Sequence, residues 1–165
     1  MDHTFTRPFA RSIQNVFSMM MQLPVTIGTP RFEEHEDDRF DVSGSIGMSG
    51  DIAGSVTLAL SSSTACRLVA LLSGEASEPD SPEFSDAVGE LVNMVCGHAK
   101  GMFVGQRISI SCPSVIVGRG HTVVRSGKAP CVVIPCACDC GDLIIKVALQ
   151  TRRAAAPLPL AASPA

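Results

Sequence analysis

The chain has no tryptophan and no tyrosine, and its 7 phenylalanines are its only aromatic residues. Stacking surfaces for single-stranded nucleic acid and aromatic cages for quaternary ammonium groups need aromatic side chains, so neither is expected. Charge of one sign is also lacking, because 13 basic and 16 acidic residues give a formal charge of -3. Without a basic patch, neither nucleic acid nor an anionic membrane surface is an expected partner.

Long apolar runs are missing as well. No segment offers the roughly 20 uninterrupted apolar residues that a bilayer crossing needs. The opening residues 1–12 carry polar side chains where a secretory signal would need an apolar region. A cytoplasmic protein is therefore expected, and its 7 cysteines, an odd number, favour free thiols in a reducing compartment.

What is present indicates one folded domain. The length is 165 residues, with 45% hydrophobic and 18% charged residues, and the mean hydropathy is +0.27. Such a chain is too apolar and too weakly charged to stay disordered. We expect a single domain over residues 1–150, followed by a disordered Ala/Pro-rich tail over 151–165.

Hydrophobic periodicity predicts three helices and a largely antiparallel sheet. The helices are expected over 5–22, 62–73 and 83–104, and an acidic turn is expected over 33–39. Strands are expected over 25–32, 40–48, 52–60, 107–111, 114–117, 121–125, 130–136 and 142–149. Turn residues at 49–51 and 139–141 make hairpins too tight for crossover connections. The order predicts an α/β sandwich built from two αβββ-like halves around one sheet, with helices on one face.

The long third helix carries a narrow polar stripe opposite its apolar one. At about 100° per residue, Asp86, Glu90, Asn93 and Gly97 fall within a sector of roughly 60°, with Lys100 beside them. A solvated helix face is the simple interpretation of such a stripe. Asparagine, however, competes for backbone hydrogen bonds in a helix, and a face chosen for solubility would carry Glu, Lys or Gln instead.

Glycines on this stripe support a docking surface. Gly89 and Gly97 each cost about 0.8 to 1 kcal/mol of helix propensity relative to Ala. Glycine at such positions lets another backbone come close. The stripe is therefore predicted to be a docking surface from which a carboxylate and a carboxamide reach out one turn apart.

The same residues resemble the signature helix of a known family. The pattern Asp86-x-x-x-Glu90-x-x-Asn93, continuing as MVCGHAK over 94–100 and followed by Pro113, resembles that of the chemotaxis phosphatases, the CheC/CheX/FliY group. Residues 7–20, 43–60 and 111–120 resemble the family too, so the likeness covers about residues 7–150. The first helix has Arg11, Gln14 and Asn15 but no Glu-x-x-Asn pair, which resembles the one-motif CheX type.

The resemblance implies an aspartyl-phosphate phosphatase with the CheC/CheX-like two-layer sandwich fold. Its substrate would be a CheY-like response regulator, which supplies the acyl phosphate and a Mg²⁺ ion, so no cofactor of its own is implied. By position, Asn93 would orient the attacking water and Glu90 would pair with the regulator's active-site lysine. Partner contacts are expected from Asp86, Gly89, Gly97 and Lys100, and a homodimer through sheet edges is implied.

Two other functions stay open at this point. The first is a non-catalytic adaptor of the same fold that binds a response regulator or a flagellar or chemotaxis component. The second is a thiol or metal sensor at Cys136, Cys138 and Cys140. Their i, i+2 spacing lacks the Cys-x-x-Cys pairs of common zinc sites, so a structural role is favoured and no metal site is expected.

Overall fold

A computed structural model of the chain describes residues 4–33, 40–119, 121 and 129–152. In chain order its helices and strands are α1 (Thr6–Met21), β1 (Thr26–Ile27), β2 (Arg31–Phe32), β3 (Val42–Gly50), β4 (Ile52–Leu60), α2 (Ser62–Ser73), α3 (Pro82–Lys100), β5 (Ile108–Ile110), β6 (Ser114–Val117), β7 (Val132–Cys138) and β8 (Gly141–Thr151). The acidic turn predicted over 33–39 and the strand predicted over 121–125 lie outside the described residues, apart from Glu33 and His121. So does the predicted tail from residue 153 onward.

Local sequence signals explain where the helices begin and end. The hydroxyl of Ser61 accepts a hydrogen bond from the Thr64 amide and starts α2, and Ser81 does the same for α3 through Phe84. Each serine satisfies a backbone N–H that the first turn leaves without a partner. Gly74 ends α2 in a left-handed conformation at φ 80°. The bounds predicted for α2 are therefore confirmed.

One eight-stranded sheet has the order β1-β7-β8-β4-β3-β5, with β2 also on β7 and β6 also on β3. Every strand pair is antiparallel. The long hairpins β3–β4 and β7–β8 meet at the centre, where β4 pairs with β8. The short strands of each half pair with the hairpin of the other half. The two predicted halves are therefore present, and each completes the sheet of the other.

The main core lies between the sheet and the three helices. Alternate residues of the central strands point into it, such as Val42, Ile46 and Met48 of β3. The opposite sheet face carries short polar side chains, including Ser45 and Thr57, whose hydroxyls are 2.8 Å apart. This confirms the predicted two-layer sandwich with helices on one face.

Several predicted boundaries differ from the structure by one or more residues, and three of the differences are informative. The strand expected over 25–32 is split into β1 and β2, because Pro30 lies between them and has no N–H to donate to a sheet. Helix α3 ends at Lys100 rather than at residue 104, and the following Met102 and Phe103 amides make only i→i−3 bonds. At the other end of the chain, β8 continues to Thr151, which pairs with Ile52, so ordered structure extends past residue 150.

Among the described residues, no helix combines the length and the apolar character needed to cross a bilayer.

Candidate functional site

Helix α3 is held against α1 on one side and against β3 and β6 beneath. Helices α1 and α3 run antiparallel, because the Phe5 and Phe9 rings lie 6.4 and 6.2 Å from the ring of Phe103 beyond the end of α3. Midway along the pair, the buried hydroxyl of Ser12 donates a 2.6 Å hydrogen bond to the carbonyl oxygen of Val95. This direct contact keeps the two helix backbones close and leaves the opposite side of α3 facing outward.

The buried face of α3 follows the apolar period. Its buried residues are Phe84, Val88, Gly89, Leu91, Val92, Val95, Cys96 and Ala99. Each apolar member removes hydrocarbon surface from water, which is worth roughly 25 cal/mol per Å². The helix is thus fixed by one face, and the other face is available for function.

The predicted polar stripe lies on the outer face. Asp86, Glu90, Gly97 and Lys100 are exposed and Asn93 is half-buried. Within the described part of the chain, no hydrogen bond or ion pair engages the side chains of Asp86, Glu90 or Asn93. Glu90 and Asn93 are three residues apart, which places their Cβ atoms about 5–6 Å from each other on the helix surface. A carboxylate and a carboxamide therefore point outward side by side, both free to bind a partner.

The two glycines of the stripe differ in their surroundings. A Cβ atom added to Gly97 would meet nothing within 4 Å, so the helix surface there is open. Gly89 is buried instead, and an added Cβ would lie 3.3 Å from Cγ of Pro113. The prediction that Gly89 belongs to the partner-facing surface is therefore not supported by its position. The close approach that this glycine permits is made by another segment of the same chain.

Helix α1 presents a face with the same spacing but different chemistry. Arg7, Arg11, Gln14 and Ser18 are all exposed, and they repeat the 4-3-4 spacing of Asp86, Glu90, Asn93 and Gly97. The carboxamide of Gln14 is not free, because its Nε2 donates a 3.0 Å hydrogen bond to the carbonyl oxygen of Val25. The equal spacing is readable from the sequence. It shows that α1 has arginine where α3 has its glutamate, so the chain has one motif.

The three-cysteine cluster is built as part of the core. Cys136 and Cys140 are buried and Cys138 is half-buried. The Cys138 thiol donates to the carbonyl oxygen of Gly141 at 3.3 Å, and burial raises the pKa of Cys136 to about 12. Metals bind the thiolate form, which burial disfavours here. Among the described residues, no three metal-ligating side chains are grouped for an ion.

An apolar cavity of about 310 Å³ lies at the start of α1. It is lined by Phe5, Thr6, Phe32, Pro130, Val132, Val147, Leu149, Gln150 and Thr151. This lining contains no ionisable side chain and none of the stripe residues, so the cavity is distinct from the polar face of α3.

The fold and the single polar helix define a protein of the CheC/CheX-like class of two-layer α/β sandwiches. A family model described as "Chemotaxis phosphatase CheX" matches residues 42–137, and the chain belongs to this family.

Solved structures agree with this assignment. The chemotaxis protein CheX of Vibrio vulnificus is 31% identical over 88% of this chain and 99% of its own, with a TM-score of 0.80. A CheC-like superfamily protein from Shewanella sp. PV-4 is 29% identical over 91% of this chain and 99% of its own, with a TM-score of 0.81. A CheX of Borrelia burgdorferi, solved as a CheX-CheY-BeF3-Mg²⁺ complex, is 20% identical over 90% of this chain and 99% of its own and shares the fold at a TM-score of 0.73. No curated protein matches the chain.

Proposed function

We propose that this protein hydrolyses the aspartyl phosphate of a CheY-like response regulator. The observation that carries the proposal is the outer face of α3, where Glu90 and Asn93 project side by side without partners in the described chain. In this reaction Asn93 reaches the regulator's phosphoryl group and orients the attacking water through its amide. Glu90 pairs with a lysine of the regulator and fixes the docked position.

The chemistry suits this small set of groups. Phosphoryl transfer requires an in-line nucleophile and stabilisation of charge, and it requires little covalent chemistry from the protein. A carboxamide can accept one hydrogen bond from water and donate another to a phosphoryl oxygen, so it can orient the water without being a strong base. Charge stabilisation would come from the Mg²⁺ ion and the lysine that the regulator supplies.

The solved complex from Borrelia burgdorferi supports the choice of partner. Its CheX is bound to CheY in the presence of BeF3 and Mg²⁺. Beryllium trifluoride is an anionic analogue with the tetrahedral shape of a bound phosphoryl group, so it stands in for the phosphate. By analogy of fold, the Mg²⁺ used in the reaction resides in the regulator, and this chain contributes only side chains.

We also propose that the protein is a cytoplasmic homodimer joined at a sheet edge. Strand β6 is paired on one side only among the described residues, and its Ile116 and Val117 are 40% and 38% exposed. An unpaired edge with exposed apolar side chains is a ready template for pairing with a second copy. Light scattering of the purified protein, compared with Ile116→Lys, tests this. A monomeric wild-type protein would contradict it.

The decisive experiment measures phosphate release from a phosphorylated regulator of the same cell, with Mg²⁺, in the presence and absence of this protein. The expected result is accelerated release that is lost in Asn93→Ala, that needs a higher regulator concentration in Glu90→Ala, and that persists in Arg11→Ala, the matching position on α1. Tight binding with no acceleration would show an adaptor and overturn the proposal. The partner and the chemistry are thus tested separately.

A further inference from the structure

Gly89 lies where the outer face of α3 meets the segment before β6. It immediately precedes Glu90 and lies one turn before Asn93. An added Cβ atom would lie 3.3 Å from Cγ and 3.7 Å from Cβ of Pro113, and 3.6 Å from Cγ2 of Val115. The first distance is tighter than about nine in ten real Cβ contacts. A side chain at position 89 would therefore have to move either the helix or the proline.

The proline lies on a segment that the sheet holds in place at both ends. Before it, the Ser111 amide donates to the Gly47 carbonyl oxygen at 2.9 Å. The Gly47 amide donates in return to the Ser111 hydroxyl at 2.9 Å. That hydroxyl then donates to the carbonyl oxygen of Cys112 at 2.8 Å. After the proline, Val115 pairs with Gly44 in the sheet. The segment that carries Pro113 is thus held in place by the sheet, and α3 packs against the proline.

A second close approach limits α3 from below. A Cβ atom added to Gly44 of β3 would lie 3.1 Å from Cγ1 of Val92. The Val92 side chain points down to the sheet. The Cα atom of Gly89 faces Pro113 at the side of the helix. Together the two contacts fix the height of the helix and its rotation about its own axis. Both quantities determine where Asn93 points.

We infer that Gly89 and Pro113 are positioning residues of the phosphatase site. Their contact sets the location of Asn93 relative to the docked regulator. This inference rests on the proposed function. A positioned group must be held to a fraction of an ångström, because a misplacement of about 1 Å can cost about 10²-fold in rate. A methyl group at position 89 moves α3 by a few tenths of an ångström, so we expect kcat to fall by about 3- to 10-fold.

The test compares Gly89→Ala with the double variant that also carries Pro113→Ala. Gly89→Ala is expected to lower kcat for phosphate release while KM for the phosphorylated regulator stays within about twofold, because a charge pair tolerates a shift of a few tenths of an ångström better than the alignment of the attacking water does. In Gly89→Ala with Pro113→Ala, the Cγ atom at 3.3 Å is gone and the nearest remaining atoms lie at 3.6 and 3.7 Å, ordinary contact distances. The double variant is therefore expected to recover most of the lost kcat.

Gly101→Ala is the matched control. It adds the same methyl group to the end of the same helix, where the nearest atom is the His98 carbonyl oxygen at 3.4 Å. It is expected to keep the wild-type kcat. Thermal unfolding of every variant checks that folding is retained.

The outcomes separate this inference from the proposed function. An inactive wild-type protein overturns the proposed function and with it the inference. An active wild type with unchanged kcat in Gly89→Ala overturns the inference alone. The same holds if KM rises instead of kcat falling, or if the double variant is no better than Gly89→Ala.

Discussion

Asn93→Ala is the substitution that most directly tests the chemistry. Asn93 is half-buried in the middle of α3, and its carboxamide makes no hydrogen bond within the described residues. Its removal therefore leaves no buried group without a partner. Alanine also has a higher helix propensity than asparagine by roughly 0.5 to 0.7 kcal/mol. The variant should be at least as stable as the wild-type protein, so a loss of activity reports on the site and not on folding.

The expected loss is about 10²-fold or more in the rate of phosphate release, the usual effect of removing one positioned polar group. Such a factor corresponds to about 2.7 kcal/mol of transition-state stabilisation. Binding should change by no more than about threefold, because Glu90 and the rest of the exposed stripe, which make the docking contacts, are retained. The loss should appear in kcat and not in KM.

The assay is steady-state phosphate release from the phosphorylated regulator, with binding followed separately by titration. Gln14→Ala is a stringent control, because Gln14 holds the equivalent place on α1 and its 3.0 Å hydrogen bond to Val25 is lost. It should cost more stability than Asn93→Ala and far less activity. If Asn93→Ala keeps more than a third of the wild-type rate, the assignment of the water-orienting role is wrong.

Three further predictions concern the partner contact, the sheet and the buried thiols. Glu90→Ala is expected to raise KM by about tenfold, because it removes one side of a charge pair with the regulator, and high salt should reduce the difference. Gly54→Ala should lower the free energy of unfolding by about 3 kcal/mol or more in urea titrations, since Gly54 has φ +143° and an added Cβ would collide with the Ala148 carbonyl oxygen. Burial raises the pKa of Cys96 and of Cys136 from 9.0 to about 12, so above pH 9 the unfolded thiols ionise while the folded ones stay neutral. Stability should then fall as the pH rises from about 9 towards 12, and a urea midpoint at pH 10 equal to that at pH 8 would contradict this.

Local signals were sufficient for the starts of α2 and α3 and for the end of α2. The serine before each of α2 and α3 caps the first turn, and Gly74 ends α2 where the sequence indicated. The strand predicted over 25–32 was less accurate, because the period-2 pattern was followed through Pro30, whose missing N–H interrupts the ladder. The end of α3 was placed too late for a related reason. Apolar spacing continues past Lys100, although the backbone there has already turned to i→i−3 bonds.

The polar stripe was predictable because exposure on a helix follows a fixed angle per residue. Gly89 shows the limit of that method. It lies about 60° from Asp86 on the helical projection, at the edge of the stripe. Whether such a flank meets solvent or protein depends on Pro113, which lies 24 residues later and is brought there by the pairing of β6 with β3. No local pattern contains that information.

The sequence alone determined the identity and order of most elements, the apolar and polar faces of α3, and the presence of one motif instead of two. These properties arise from capping, turn chemistry and periodicity, which act within a few residues. The tertiary structure decided which hairpin each short strand joins, and it decided that Gly89 packs against its own chain while Gly97 stays open. Those outcomes depend on contacts between residues far apart in the chain, whose free energies arise only when the sheet and helices are packed together.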